Sequence, residues 1–264
     1  MAYIKLQYKS MSLLRGVSLD VILPSDAMMG TDVPTPYKTL YFLPGYSADS
    51  TEIFQYLGIR AQAELKGIAV VLLNGENSFY IDRPELNNNY SQYVREVVDM
   101  TRKLLPLSHR REDTYIGGIS MGVYGSMLNG LRNRDVFSKI AVLSPAVDAY
   151  DIMVEHPIPG FSENMFKNFF QSKENYMSGD TNLKKAYAET KDIPKLFIAC
   201  GDSDAAVYHA VKDFTDYLTQ RKIPHVYKEV KGNHDLDTWE GLLDAQFSFL
   251  AGIPEGFSNH LVIV

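Results

Sequence analysis

A serine flanked by glycines stands where an apolar, β-prone run gives way to a helical pattern. The run is Thr114-Tyr115-Ile116, and the turn is Gly118-Ile119-Ser120-Met121-Gly122. Strand, sharp turn and helix form the context in which G-x-S-x-G presents a nucleophilic serine. The turn demands a strained backbone at Ser120, which side chains two positions away on either side would obstruct; Gly118 and Gly122 remove them. The hydroxyl then projects above the strand ends. The Met121 amide, opening the new helix, can face a developing oxyanion. Without its flanking elements the same pattern would read as a glycine-rich turn with an incidental serine.

A serine hydroxyl is a weak nucleophile at neutral pH, so a base must take its proton and a third group must orient that base. Six histidines are available. His109 precedes the serine's strand at its far end, His156 lies in an irregular stretch, and His209 falls in a late helical pattern. His225 opens a strand, and His260 belongs to the C-terminal tail. His234 alone follows a late strand in a loop, Lys231-Gly232-Asn233-His234-Asp235, just before the last long helix. The chain order serine, acid, histidine puts the base there. For the acid, the strand Lys195–Cys200 runs into Gly201-Asp202-Ser203-Asp204. A carboxylate needs a few residues of loop to turn toward the base, which favours Asp204 and leaves Asp202 to cap or brace the loop. The second oxyanion donor is expected from the loop after an early central strand. Leu43-Pro44-Gly45-Tyr46-Ser47 fits, with Gly45 permitting close backbone approach and the Tyr46 amide donating.

The elements that must position these groups alternate strand with helix. Strand-like runs cover Tyr3–Tyr8 and Gly16–Leu23, a loop rich in Pro, Gly and Asp extends to Pro36, and Tyr37–Leu43 is again β-rich. Glu52–Leu65 reads as one helix stopped by Gly67. Ile68–Leu73 is continuously apolar, as a strand buried on both faces should be. Asn89–Leu105 has the clearest amphipathic pattern and Pro106 ends it. After the serine's helix, to about Leu131, come the strand Lys139–Leu143, the strand Lys195–Cys200, a helix Ala206–Arg221, a strand His225–Val230 and a helix Leu236–Leu250. Such alternation implies an α/β fold with a mostly parallel sheet. Residues 148–192 break the rhythm. They are rich in Phe, Tyr, Asn, Met and Lys, with helical patterns at Glu163–Gln171 and Leu183–Glu189. The stretch is too long for an ordinary connection and reads as a cap inserted into one domain spanning 1–264.

In order along the chain, L-P-G-Y-S, N-S-F-Y-I-D (Asn77 to Asp82), G-I-S-M-G, C-G-D-S-D and G-N-H-D-L-D-T-W (ending at Trp239) resemble the esterase D and tributyrin esterase branch of the α/β hydrolases. The resemblance covers most of the chain. It implies the α/β-hydrolase fold, Ser120 as nucleophile, Asp204 as acid, His234 as base, and backbone oxyanion donors at Tyr46 and Met121. No metal and no cofactor are implied. The implied activity is hydrolysis of short-chain acyl esters, acetyl to butyryl; relatives include acetyl and acetylxylan esterases, feruloyl esterases and S-formylglutathione hydrolases. Two positions depart from the pattern: Pro44 stands where the family often has histidine, and Val123 where it often has a second glycine. The rival from another class is an inactive hydrolase fold serving as a binding protein, against which the intact Ser120, Asp204 and His234 argue.

Phe79 and Tyr80 follow a central strand at its C-terminal end, where parallel sheets bind ligands, and are expected near substrate together with Gly45. Trp239 lies one helical turn past His234 and is expected to line the substrate pocket or to pack behind the histidine. Phe161, Phe166, Phe169 and Phe170 have a spacing that ordinary core packing explains. Composition narrows the partners. The chain has 264 residues, 45% of them hydrophobic, and a net charge of −6 without a long basic run. A small-molecule ester is therefore the expected partner, not nucleic acid or an anionic membrane. No stretch approaches the ~18 apolar residues of a membrane span, and the alternating start Met1-Ala2-Tyr3-Ile4-Lys5-Leu6 lacks the pattern of a signal peptide. A cytoplasmic location is expected. Cys200 is alone, so no internal disulfide can form. Subunits of related esterases can associate, and the aromatic cap offers a surface for a homo-oligomer.

Overall fold

The computed structural model describes residues 1–25 and 33–256. Part of the loop expected before Pro36, and the tail with His260, lie outside the described residues. Eight strands form one sheet in the order β1-β2-β4-β3-β7-β8-β9-β10. They are β1 (Ala2–Ser10), β2 (Arg15–Leu23), β3 (Lys38–Leu43), β4 (Ile68–Leu72), β7 (Thr114–Ile119), β8 (Lys139–Leu143), β9 (Lys195–Gly201) and β10 (His225–Val230). β1 pairs antiparallel with β2, and β2 antiparallel with β4; from β4 onward every pairing is parallel. This is the mostly parallel sheet of the α/β-hydrolase fold, with a hairpin at one edge. β5 (Asp82–Arg83) and β6 (Asn88–Asn89) form a separate short ribbon.

The central strands read as unbroken apolar runs because helices cover both sheet faces. Alternate residues nevertheless go to different cores. Tyr41, Leu43, Ala69, Val71, Ile140 and Val142 join the core beneath α3 (Tyr90–Leu104), α4 (Met121–Arg132) and α8 (Tyr208–Gln220). Leu40, Phe42, Val70, Leu72, Ala141 and Leu143 join the core beneath α1 (Ser50–Tyr56), α2 (Ile59–Lys66) and α9 (Leu236–Ala251). In register, Leu43 sits opposite Gly118, Ile119 opposite Leu143, and Val230 opposite Gly201. The C-terminal ends of the parallel strands thus share one edge, and the loops leaving that edge meet there.

Two expectations change. The single helix expected over Glu52–Leu65 is two helices, broken at Leu57–Gly58. Leu57 is extended (φ −113°, ψ 145°), and the Gly58 amide donates to the Glu240 carboxylate of α9 at 2.7 Å. A tertiary acceptor thus takes up a backbone donor where the helix stops. Between β8 and β9 there is more helix than the pattern suggested. A π-helical turn at Asp151–Glu155 and α6 (Lys173–Ser178) accompany α5 (Glu163–Phe170) and α7 (Leu183–Glu189). The N-terminal ends of α5, α6 and α7 are capped by Ser162, Ser172 and Asn182. No helix among the described residues is long and apolar enough to cross a membrane.

Candidate active site

The turn from β7 into α4 holds Ser120 at φ 54° and ψ −117°, a left-handed region that costs a non-glycine residue about 1–3 kcal/mol. The surroundings over-determine it. The Ser120 amide donates to the Leu143 carbonyl at the end of the neighbouring strand β8 (3.1 Å), while the Ser120 carbonyl accepts from the amides of Val123 (3.0 Å) and Ala146 (3.3 Å). The flanking glycines are required by space as well. A Cβ on Gly118 would stand 2.4 Å from the Leu43 carbonyl oxygen, and one on Gly122 would stand 1.9 Å from it. Both contacts are to backbone, which cannot rotate away.

His234 and Asp204 arrive on the loops after β10 and β9. Two bonds tie the loops together, Ser203 N–H to the Gly232 carbonyl (2.9 Å) and Gly232 N–H to Asp202 Oδ1 (3.3 Å), and Asn233 N–H donates to Thr238 Oγ1 of α9 (2.9 Å). Asp235 caps α9 by accepting from Thr238 N–H at 2.9 Å, and that bond holds its carboxyl below the usual range. His234 Nε2 lies 3.0 Å from Ser120 Oγ, and its Nδ1 lies 2.8 Å from Asp204 Oδ2. The Asp204 side chain is fully buried and His234 is 23% exposed. A carboxylate only accepts, so His234 carries its proton on Nδ1 and offers Nε2 to the serine O–H. Asp204 is fixed from its other side as well, where Oδ1 accepts from Ala206 and Val207 N–H, both at 3.2 Å. The Cys200 thiol lies 3.9 Å from Oδ2; burial and the neighbouring Asp204 push its pKa up, so it remains a donor. Asp202 does not reach His234 and braces the loop instead.

The loop after β3 lies directly against the serine, and Gly45 is what permits it. A Cβ there would meet the Ser120 Cβ at 3.3 Å and the Ile119 carbonyl oxygen at 3.4 Å. The Tyr46 and Met121 amides have no protein acceptor among the described residues, so this corner of the site holds two unspent backbone donors.

Phe79 and Tyr80 are placed differently from the expectation that they line the substrate pocket. Both are fully buried, at φ 53° and 54°. The Tyr80 hydroxyl donates to the Pro44 carbonyl at 3.2 Å, and its ring fills the space a side chain at Gly75 or Gly125 would occupy. Asn77, two residues before Phe79, accepts from Ser47 N–H at 2.6 Å. The N-S-F-Y segment therefore props the 44–47 loop from behind. Its strained backbone was not readable from residue type, because a tyrosine after a strand looks the same whether it meets ligand or loop. Phe79 packs edge-on against Tyr124 and touches Phe161, whose ring stands over Tyr46 at 4.8 Å. Phe161 thus reaches the site from the segment between β8 and β9, whereas its spacing alone had suggested ordinary packing. Trp239 packs edge-on against the His234 ring at 5.2 Å. Val123 is wholly buried in the core beneath α4.

Known proteins place the chain in a family. A family model described as Putative esterase matches residues 10–250. An acetyl esterase of Caldicellulosiruptor saccharolyticus is 30% identical over 273 residues, spanning 97% of this chain and 100% of its own. Among solved structures, the substrate-bound fluorophosphonate-binding serine hydrolase F of Staphylococcus aureus aligns with a TM-score of 0.82 and 32% identity, over 95% of this chain and 98% of that one. An S-formylglutathione hydrolase from the same organism aligns at 0.81 and 30%, with the same coverage. The chain belongs to this esterase family and is a serine esterase of the α/β-hydrolase fold.

Proposed function

We propose that the protein hydrolyses esters of small acyl groups, acetyl to butyryl, through Ser120, His234 and Asp204. The observation that carries this reading is the continuous hydrogen-bonded line from Ser120 Oγ through His234 to Asp204, at 3.0 and 2.8 Å, beside two unpartnered backbone amides. His234 Nε2 takes the serine proton as Oγ attacks the ester carbonyl, and the carbonyl π electrons move onto oxygen. The Tyr46 and Met121 N–H groups hold that oxyanion. When the tetrahedral intermediate collapses, the C–O bond to the alcohol breaks and His234 gives its proton to the leaving oxygen. Water then repeats the sequence on the acyl-enzyme, with His234 again as base, and frees the acid and Ser120. Asp204 keeps Nδ1 protonated and stabilises the imidazolium.

The aromatic wall supports a small acyl group: Tyr46 and Phe161 stand edge to face, with Phe79 and Phe169 packed behind. The similarity to an acetyl esterase supports it too. A thioester of S-formylglutathione type is the second reading, favoured by the structural neighbour named for that activity. Rates on p-nitrophenyl acetate, butyrate, octanoate and ferulate, and on S-formylglutathione, separate the readings. Short esters turned over fastest, with the activity lost in Ser120→Ala, is the expected result. Preference for octanoate or ferulate would refute the acyl assignment, and activity surviving the substitution would refute the nucleophile.

A further inference from the structure

We propose that Asp151, His156 and His209 form a binding site for a divalent transition-metal ion of the zinc kind, joining the π-helical turn after β8 to the first turn of α8. One ligand atom from each residue lies within 4.8 Å of the other two. Asp151 and His156 bracket the turn, with His156 Nδ1 2.7 Å from Asp151 Oδ1. His209, the second residue of α8, faces His156 with ring centroids 5.3 Å apart. The carboxylate is held at a side-chain exposure of 12%, while His156 is open to solvent, so an ion has both a prepared anchor and an entry path.

Neither the His209 nitrogens nor His156 Nε2 has a hydrogen-bond partner among the described residues. Beside the Asp151–His156 pair, two imidazoles thus stand side by side with ring nitrogens to spare next to a largely buried carboxylate. Two nitrogens and one oxygen suit Zn²⁺, Co²⁺, Ni²⁺ or Cu²⁺; Mg²⁺ and Ca²⁺ prefer all-oxygen shells. Three protein ligands leave the fourth tetrahedral position to water. Metal–ligand bonds of about 2.0–2.1 Å set neighbouring donors roughly 3.3 Å apart. The Asp151–His156 pair must therefore open by about half an ångström and His209 must swing inward, which rotations of two exposed imidazoles supply.

The site's position gives it a consequence. Tyr208 N–H, adjoining His209, donates to the Asp204 carbonyl at 2.9 Å, and Val207 N–H to Asp204 Oδ1. An ion at this site would clip the inserted segment to the turn that holds Asp204. The inference stands apart from the ester chemistry proposed above, since none of the three residues touches that site.

The test is calorimetric titration of the untagged full chain with Zn²⁺, and of His156→Ala, His209→Ala and the double variant, with Co²⁺ as an optical probe of ligation. Undiminished esterase activity of the metal-free variants on p-nitrophenyl acetate shows that they are folded. The expected result is one Zn²⁺ per chain, affinity down at least roughly tenfold in each single variant and lost in the double one. Visible Co²⁺ d–d absorption and a metal-dependent rise in melting temperature should disappear with it. Binding that persists in the double variant, or an absence of binding in the wild type, would overturn the site.

Discussion

Replacing Gly122 with alanine tests the geometry around Ser120 with a single methyl group. The new Cβ would lie 1.9 Å from the Leu43 carbonyl oxygen, 2.5 Å from the Leu43 carbonyl carbon and 2.5 Å from the Pro44 oxygen. Real Cβ contacts do not fall below 3.0 Å, so the Leu43–Pro44 backbone must retreat by about 1.1 Å or more. Alanine gains about 1 kcal/mol over glycine in helix propensity, while overpacking a rigid site costs about 1–3 kcal/mol and more when the clash is with backbone. The net expectation is a loss of about 1–2 kcal/mol in urea unfolding. The catalytic effect should be larger, because the displaced segment leads into Gly45 and Tyr46. Misplacing one oxyanion donor costs about 10²–10³ in kcat. Gly45→Ala is the graded comparison: its nearest contacts are 3.3 and 3.4 Å, so the loop need give only a few tenths of an ångström and the kcat loss should be smaller. The assay is kcat on p-nitrophenyl acetate beside urea melts of both variants. A Gly122→Ala enzyme with wild-type kcat and stability, or a Gly45→Ala enzyme hit harder than Gly122→Ala, would refute the reasoning.

Three further perturbations probe the supports. Tyr80→Phe removes the bond to the Pro44 carbonyl and leaves a buried acceptor unpaired; stability should fall by about 1–2 kcal/mol and kcat should fall with KM little changed, and unchanged kcat would contradict a positioning role. Phe161→Ala opens the wall over Tyr46, so the octanoate-to-acetate ratio of kcat/KM should rise roughly tenfold; a constant ratio would remove Phe161 from the acyl site. Asp244 pairs with the buried Lys66 at 2.7 Å; burial pushes its carboxyl up, but the Lys66 and Gly256 donors outweigh that and leave it below the ordinary range. A carboxyl depressed on folding stabilises fully above its unfolded value, ~3.9, and the contribution is lost as pH falls through the folded value. Asp244→Asn should therefore be about 3 kcal/mol less stable than wild type at pH 7, with the gap closing below pH ~4; a gap independent of pH would contradict the assignment.

What could be read from the chain depended on how local its cause was. β4 is apolar throughout, and β3, β8 and β9 are apolar over most of their length after an opening lysine, because they are buried on both faces; that pattern is visible in a window of six residues. The residues around Ser120, Asp204 and His234 were equally visible, since each sits at a fixed offset from the end of a parallel strand, and the fold then brings the three side chains together. The break between α1 and α2 was not visible, because its cause is Glu240, 182 residues away from Gly58. Nor were the turn at Asp151–Glu155 and α6 legible: both are too short to show a period, and α6 rests on Tyr176 packing against Phe166 and Phe170. Tyr80 and Asn77 were conspicuous as residues but not as supports, since nothing in a side chain's type says which carbonyl or amide it will meet.

The central claim, that Ser120 is the nucleophile, is tested most directly by a fluorophosphonate. Wild-type protein and Ser120→Ala would be treated with equimolar reagent and examined by intact-mass and peptide mass spectrometry. One phosphonyl group per chain on the peptide carrying Ser120, with ester hydrolysis lost in proportion to labelling and no label on Ser120→Ala, is the predicted result. Label on another residue, or full hydrolysis by chains already phosphonylated at Ser120, would contradict it.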